Sequence, residues 1–182
     1  MKRQSLGLIL FVCFSLGSSL AEERVNDPTS FTWNPELSPT GPVVVTVDLK
    51  KQTAAVYRNG ILIGSCIVST GRPGYETPTG VFHILEKDAD HRSSTYNNAA
   101  MPYQERLTWG GVALHAGSLP GYPSSHGCVH LPYEFSKLLF GVTELGGTVV
   151  VTDGSDSELT NGHQVQFTDG EDGEIDWRLV SW

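Results

Sequence analysis

The 182-residue sequence has few basic residues and few cysteines. Lysine and arginine together number 12, against 20 aspartates and glutamates, and the formal net charge is −8. Binding to nucleic acid requires clustered cations that neutralise phosphates, and this chain has no such cluster. Internal repeats and a second polymer-binding module are also absent from the sequence. These absences favour a single acidic domain that acts on something other than nucleic acid.

Long apolar runs are scarce, and the one at the N terminus has the pattern of an export signal. Lys2 and Arg3 precede an apolar run at residues 6–16, and small residues follow up to Ala21. This order predicts a secretory signal peptide at residues 1–21, with the periplasm as the destination. A run of about a dozen residues is too short to cross a bilayer of ~30 Å, so we expect no stable membrane span. Cys13 would be lost with the signal.

The remaining 161 residues suit one domain with a real core. We place it at residues 41–153, after an irregular, proline-containing lead-in at residues 22–40. The acidic C-terminal tail, residues 154–182, contains alternating segments that fit a hairpin. Its carboxylates are interpreted as a solvated face, because their spacing fits no calcium-binding loop.

Short β-branched runs separated by turn residues predict a mainly β fold. Several runs are apolar on both faces, which favours stacked sheets, a β-sandwich, over a single half-exposed sheet. Asn59-Gly60 predicts a two-residue hairpin. The predicted strands are residues 43–48, 53–58, 61–69, 80–85, 111–116 and 148–153.

One short helix is predicted directly after residue 131. Pro132 suits the first helical position, and Gly141 suits the stop. Three apolar residues at helical spacing are expected to face the core, namely Phe135, Leu138 and Leu139.

A polar stretch of about 25 residues, 86–110, separates two of the predicted strands. Loops of that length in compact domains are typical of lids. We expect residues 91–110 to close over a substrate, with Tyr103 and Trp109 as aromatic walls, while core packing is the alternative for both rings.

The stretch "SSHGCVHLP", residues 124–132, places Cys128 between two histidines. On an extended strand, His126, Cys128 and His130 would share one face, which suits zinc or copper. A structural zinc site normally needs a second pair of ligands, and the sequence has none, so no metal is predicted. Cys66 lies among apolar residues and is interpreted as a buried free thiol, with a disulfide to Cys128 as the alternative.

A nucleophilic cysteine needs a base and donors for an oxyanion. His115 ends a predicted strand, and the Gly-, Pro- and Ser-rich loop that follows can return the chain to Cys128. Gly127 has no side chain, so the backbone amides around it can approach an oxyanion closely.

Three segments carry a resemblance to a known family. "ALHAGSLPGYPSSHGCVHLP" (113–132), "TPTGVFHI" (77–84) and "MPYQERLTWGG" (101–111) resemble the L,D-transpeptidase family with the YkuD-type catalytic domain. That family is marked by a histidine, a variable loop and then Ser-His-Gly-Cys. The resemblance covers residues 41–153 and implies a YkuD-like β-sandwich, no cofactor, and peptidoglycan stem peptides as substrates.

The resemblance implies that Cys128 attacks the carbonyl between a diamino acid and the D-alanine at position four of a stem peptide, forming a thioester. His115 would be the general base and later the acid. The main-chain carbonyl of Ala116 or Gly117 would orient its imidazole in place of a carboxylate.

Further roles are implied around the nucleophile. Backbone amides at Gly127 and Cys128 would bind the oxyanion, and Ser125 and His126 would shape the loop, with direct proton transfer as the alternative for His126. Two residues after the cysteine the family commonly has arginine, or asparagine in some branches, whereas this chain has His130. A protonated His130 would contact a donor carboxylate, with a single good donor in place of the two-pronged arginine contact.

The implied second step leaves the acceptor open. The amine of a second stem would give a 3→3 cross-link, a lipoprotein lysine would attach a protein to the wall, and a D-amino acid would give exchange. Water would make the protein an L,D-carboxypeptidase. The alternative from another class is a catalytically weak module that binds wall peptides or a metal.

Overall fold

The computed structural model describes residues 27–154, which form two β-sheets and one α-helix. The predicted signal peptide and the predicted tail hairpin lie outside these residues. The strands are β1 (Phe31–Trp33), β2 (Val43–Asp48), β3 (Thr53–Arg58), β4 (Ile61–Ile67), β5 (Gly80–His83), β6 (Glu86–Asp88), β7 (Gln104–Arg106), β8 (Ala113–Ala116), β9 (Val129–Leu131) and β10 (Thr148–Thr152). Helix α1 spans Tyr133–Val142, and a short 3-10 turn spans Pro35–Leu37.

The first sheet has six strands in the order β1-β4-β3-β2-β10-β5, with β2 and β10 parallel. The second has four strands in the order β6-β7-β8-β9, with β8 and β9 parallel. One buried cluster joins residues of both sheets and the helix. The prediction of a mainly β fold with one short helix is confirmed.

The hairpin predicted at Asn59-Gly60 is present. Both residues have positive φ, 51° and 74°, as a two-residue turn between twisted strands requires. Arg58 therefore pairs directly with Ile61 across the turn.

Strands also form where none was predicted. Residues 31–33, in the lead-in expected to be irregular, pair with β4. In the polar stretch, β6 pairs with β7, so the irregular connection shrinks to residues 89–103. Gln104 and Glu105 are each only 1% exposed. Because these buried residues are polar, the strand has no hydrophobic alternation from which the sequence could predict it.

Helix α1 is shifted from its predicted limits. Pro132 is the N-cap rather than the first helical residue, and Gly141 lies inside the last turn. The helix continues because Lys87 Nζ donates to the carbonyls of Phe140 and Thr143 at 2.7 and 2.6 Å, which caps its C-terminal end.

The core face of α1 is narrower than predicted. Phe135 and Leu139 are buried, and Phe135 packs edge-on against Phe31 and Trp33 of β1. Leu138 is 37% exposed, so the prediction that it faces the core is wrong. In residues 27–154, no helix is long and apolar enough to cross a membrane.

Candidate active site

The parallel pairing of β8 with β9 brings Cys128 and His115 to one face of the second sheet. His115 is paired with His130, and Leu114 is paired with Val129. Cys128 lies directly before β9, and alternation along the strand places it on the same face as His130. The return of the chain after β8, expected from its loop composition, therefore produces a shared surface for all three side chains.

The thiol of Cys128 is half-buried at the start of β8. Its Sγ donates to the carbonyl oxygen of Gly111 at 3.5 Å. Burial raises the pKa of the thiol above its ordinary value, although a hydrogen bond from the Ala113 amide lowers it. The resting group at neutral pH is therefore a thiol rather than a thiolate.

His115 is 5% exposed and is held by its neighbour's backbone. Its Nδ1 lies 2.8 Å from the carbonyl oxygen of Ala116. Since a carbonyl oxygen only accepts, the proton is on Nδ1, and Nε2 of the neutral ring carries the lone pair. Burial lowers the pKa of His115 to about 4, against the opposing effect of the Ala116 hydrogen bond. The ring is neutral at pH 7 and can accept a proton at Nε2.

The nucleophile loop, residues 125–128, is held by side-chain hydrogen bonds from Ser125 and Thr77 to its backbone. Ser125 Oγ accepts from the Gly127 amide at 3.0 Å and donates to the Cys128 carbonyl at 2.5 Å. Thr77 Oγ1 donates to the Gly127 carbonyl at 2.9 Å. Gly127 has φ +113°, a conformation that L side chains rarely adopt.

These bonds change the expectation for the oxyanion donors. The Gly127 amide is already committed to Ser125, so it is not free to bind an oxyanion. Among the residues that the structure describes, the Cys128 amide has no hydrogen-bond acceptor. Of the two amides considered from the sequence, Cys128 therefore supplies the available donor.

His130 is placed differently from its sequence-based role. Its ring stands edge-on to His115 at 4.8 Å, and its Nδ1 donates to the Ser118 carbonyl at 3.1 Å. Burial lowers the pKa of His130, so the ring is neutral at pH 7.5. A neutral ring with its proton on Nδ1 presents a lone pair at Nε2, which does not attract a carboxylate. The contact of a protonated His130 with a donor carboxylate stays a prediction, and the lowered pKa would confine it to more acidic solutions.

Gly117 makes room for this packing. A Cβ built there would lie 2.5 Å from Cγ of His130. The backbone of the residue after β8 is therefore part of the pocket that holds the His130 ring.

His126 lies in a group of side chains beside the nucleophile loop, which we call the His126 cluster: Arg72, Tyr75, Tyr96 and His126. The Tyr96 and Tyr75 rings lie 4.5 and 4.8 Å from the His126 ring. Nη2 of Arg72 lies 2.7 Å from its Nε2. Sequence reasoning missed three of these residues. The turn-rich stretch "STGRPGY" before "TPTG" is the one signal that an ordered loop lies there.

The two predicted aromatic walls are not equivalent. Tyr103 packs on Tyr133 and Phe140 of α1, at 5.4 and 5.8 Å, which favours the packing alternative for this ring. Trp109 is 75% exposed in the turn between β7 and β8, two residues before Gly111. Tyr96 is the aromatic residue of the 89–103 connection that reaches the nucleophile loop.

The described residues hold no group of three or more His, Cys, Asp and Glu side chains that suits a metal ion. Cys66 and Cys128 are both free, and Cys66 is buried in the core as interpreted from the sequence.

Comparison with known proteins assigns this chain to a family. Residues 42–151 match the model of the YkuD L,D-transpeptidase catalytic domain. The match covers more than half of the chain, which therefore belongs to the L,D-transpeptidase catalytic-domain family. L,D-transpeptidase 1 of Mycobacterium tuberculosis is 30% identical over 129 residues, covering 62% of this chain and 51% of the relative. The chain thus spans about half the length of the curated relatives it matches.

Solved structures agree with this assignment. An L,D-transpeptidase from Stackebrandtia nassauensis is 33% identical with a TM-score of 0.57, covering 62% of this chain and 56% of that one. One from M. tuberculosis H37Rv is 26% identical with a TM-score of 0.58, covering 60% and 57%. An L,D-transpeptidase in complex with imipenem is 25% identical with a TM-score of 0.57, covering 60% and 58%.

Proposed function

We propose that this protein is an exported cysteine L,D-transpeptidase that acts on peptidoglycan stem peptides. The observation that carries the proposal is the shared face of Cys128 and His115, with Nδ1 of His115 held by the Ala116 carbonyl. A buried neutral imidazole with its lone pair at Nε2 is the base that a neutral thiol needs. The N-terminal signal pattern supports export to the periplasm.

The first half-reaction releases D-alanine. The Cys128 thiol rotates from the Gly111 carbonyl and gives its proton to Nε2 of His115 as sulfur attacks the scissile carbonyl. The Cys128 amide donates to the oxyanion of the tetrahedral intermediate. The C–N bond then breaks, the nitrogen of D-alanine takes the proton from His115, and a thioester remains.

The second half-reaction transfers the acyl group to an amine. His115 accepts a proton from the attacking amine, and the Cys128 sulfur leaves and is protonated. The acceptor is the side-chain amine of a second stem, a lipoprotein lysine or a D-amino acid. Water at this step would give the carboxypeptidase reaction.

The test is incubation with the disaccharide tetrapeptide and mass analysis of the products. A cross-linked dimer supports transfer, and a tripeptide indicates hydrolysis instead. Unchanged substrate would refute the enzymatic proposal. A covalent mass increase on Cys128 after treatment with imipenem would support the acyl-enzyme step independently.

A further inference from the structure

Arg72 is attached to the nucleophile loop through its backbone. Its amide donates to the Ser125 carbonyl at 3.1 Å, and Gly71 forms a bridge with Ser125. A Cβ at Gly71 would lie 2.0 Å from the Tyr75 carbonyl oxygen, so the 71–77 loop folds tightly at this point. The backbone of Arg72 is therefore fixed against Ser125, three residues before Cys128.

The guanidinium of Arg72 is held in place by two rings. Its Cζ lies 4.4 Å from the centroid of the Tyr75 ring. Its Nη1 and Nη2 lie 3.2 and 2.7 Å from the two ring nitrogens of His126. A guanidinium has five N–H donors in a fixed fork, so donors remain after these contacts.

Within residues 27–154, no carboxylate forms an ion pair with Arg72. The acidic partners of the ion pairs found there are Asp48, Glu86, Asp88 and Glu105. Glu76, four residues along the chain from Arg72, instead accepts from the Gly74 amide at 2.7 Å. Among the described residues, Arg72 thus has no carboxylate that neutralises its positive charge beside the nucleophile loop.

A guanidinium that is held in place and has no ion-pair partner within residues 27–154 is suited to bind a carboxylate through two parallel hydrogen bonds. The scissile bond of the proposed donor precedes a D-alanine whose C-terminal carboxylate lies on the same residue as the leaving nitrogen. We propose that Arg72 binds this terminal carboxylate of the donor stem and so selects peptides that end at position four. The inference rests on the proposed function and identifies the group that recognises its leaving residue.

His130 and Arg72 are thereby assigned different roles. The proton on Nδ1 of His130 is committed to Ser118, and its ring packs against His115. The sequence predicted a carboxylate contact at His130, and the inference assigns that contact to Arg72, 58 positions earlier in the chain. His126 becomes a positioning residue, because the unprotonated nitrogen of its neutral ring accepts a hydrogen bond from the guanidinium.

The test measures binding in the Cys128→Ala protein, which cannot form a thioester. Two probes are titrated by calorimetry: a tetrapeptide stem ending in D-alanine with a free carboxylate, and the same peptide as its C-terminal amide. We expect the acid to bind at least about tenfold more tightly than the amide. Arg72→Gln should remove this preference by weakening binding of the acid alone, and Arg72→Lys should restore part of it.

Lys137→Gln is the matched control, because Lys137 is an exposed cation on α1 and its replacement makes the same change in net charge. It should leave both affinities unchanged, and the melting temperature of each variant verifies folding. Equal weakening of acid and amide by Arg72→Gln would mean that Arg72 only supports the loop, and this would overturn the inference. The inference would also be overturned if the acid peptide did not bind, or if Arg72→Gln left its affinity unchanged.

Turnover by the unmodified enzyme separates this inference from the proposed function. If binding of the acid peptide depends on Arg72 but no product forms, the transpeptidase function is refuted and the carboxylate site is still supported. If product forms but Arg72 makes no difference between the acid and the amide peptide, the carboxylate site is refuted and the transpeptidase function is still supported.

Discussion

The ring of His130 stands edge-on to the ring of His115, with centroids 4.8 Å apart and planes inclined by 64°. The two residues are paired across the parallel strands β8 and β9. The proton of each Nδ1 goes to a backbone carbonyl, Ala116 for His115 and Ser118 for His130. The base is therefore oriented by main chain and by a second imidazole, and no carboxylate of residues 27–154 forms a hydrogen bond or ion pair with it.

Gly117→Ala should disturb this pair. The new Cβ would lie 2.5 Å from Cγ of His130, so the ring must move, and such overpacking costs about 1–3 kcal/mol of unfolding free energy. Gly110→Ala is the control, since its nearest neighbour would be 3.6 Å away. Urea denaturation of Gly117→Ala with and without His130→Ala measures the coupling. If Gly117→Ala lowers the free energy of unfolding by the same amount in the His130→Ala background, a clash with the His130 ring is not the cause of the loss.

Cys128→Ala should abolish product formation and leave the melting temperature nearly unchanged, because the side chain is half-buried and small. His115→Gln should lower kcat by a factor on the order of 10²–10⁴, the usual contribution of a general base. Cys66→Ala is the matched control and should retain activity at some cost in stability. Activity that survives loss of Cys128 would contradict the mechanism.

The two thiols should differ in their rates of alkylation. Cys66 is 5% exposed and burial raises its thiol pKa, so iodoacetamide should modify Cys128 at least about tenfold faster. Because burial also raises the pKa of Cys128, its rate should still be rising at pH 9. Peptide mass mapping over a pH series gives both rates. A plateau at neutral pH would instead indicate a resting thiolate–imidazolium pair.

Acid should destabilise the fold through His115. Its pKa falls from 6.5 to about 4 on burial, so the unfolded chain binds the proton more tightly than the folded one. The free energy of unfolding is then highest above pH 6.5 and decreases as the pH falls towards 4. Between pH 7.5 and 4.5 the loss attributable to His115 is about 2–3 kcal/mol.

His115→Asn provides the comparison for that pH dependence. The variant should lose less stability than the parent over the same interval, by the amount given above. Burial of His130 lowers its pKa too, so part of the acid sensitivity should remain in the variant. Identical pH profiles for the two proteins would show that His115 is not a neutral buried ring.

Tyr96→Ala should raise KM for the donor peptide with little change in melting temperature. The ring covers His126 at 4.5 Å and is itself 44% exposed, so its removal affects the site more than the core. Tyr133→Ala is the control, an exposed tyrosine on α1 whose ring contacts Tyr103. Kinetics at several donor concentrations separate KM from kcat. A large fall in melting temperature would instead mark Tyr96 as structural.

The parts of the fold that were predicted correctly from the sequence are those that local chemistry specifies. Asn59-Gly60 determines a hairpin through its own backbone preferences, and the buried β-branched strands follow from their composition. The proximity of Cys128 and His115 was inferred from a glycine- and proline-rich return loop together with a family motif. Each of these depends on residues that are near one another in the chain.

What only the tertiary structure decided depends on contacts between distant segments. Arg72 meets His126 across 54 positions, and Lys87 caps α1 from 53 positions away. Sequence periodicity contains no signal for such contacts, because their side chains are polar and belong to short, charged or turn-rich segments. The protonation of the imidazoles was decided in the same way. The ordinary pKa of a histidine belongs to the residue, whereas the lowered values of His115 and His130 arise from burial between two strands that only the folded sheet brings together.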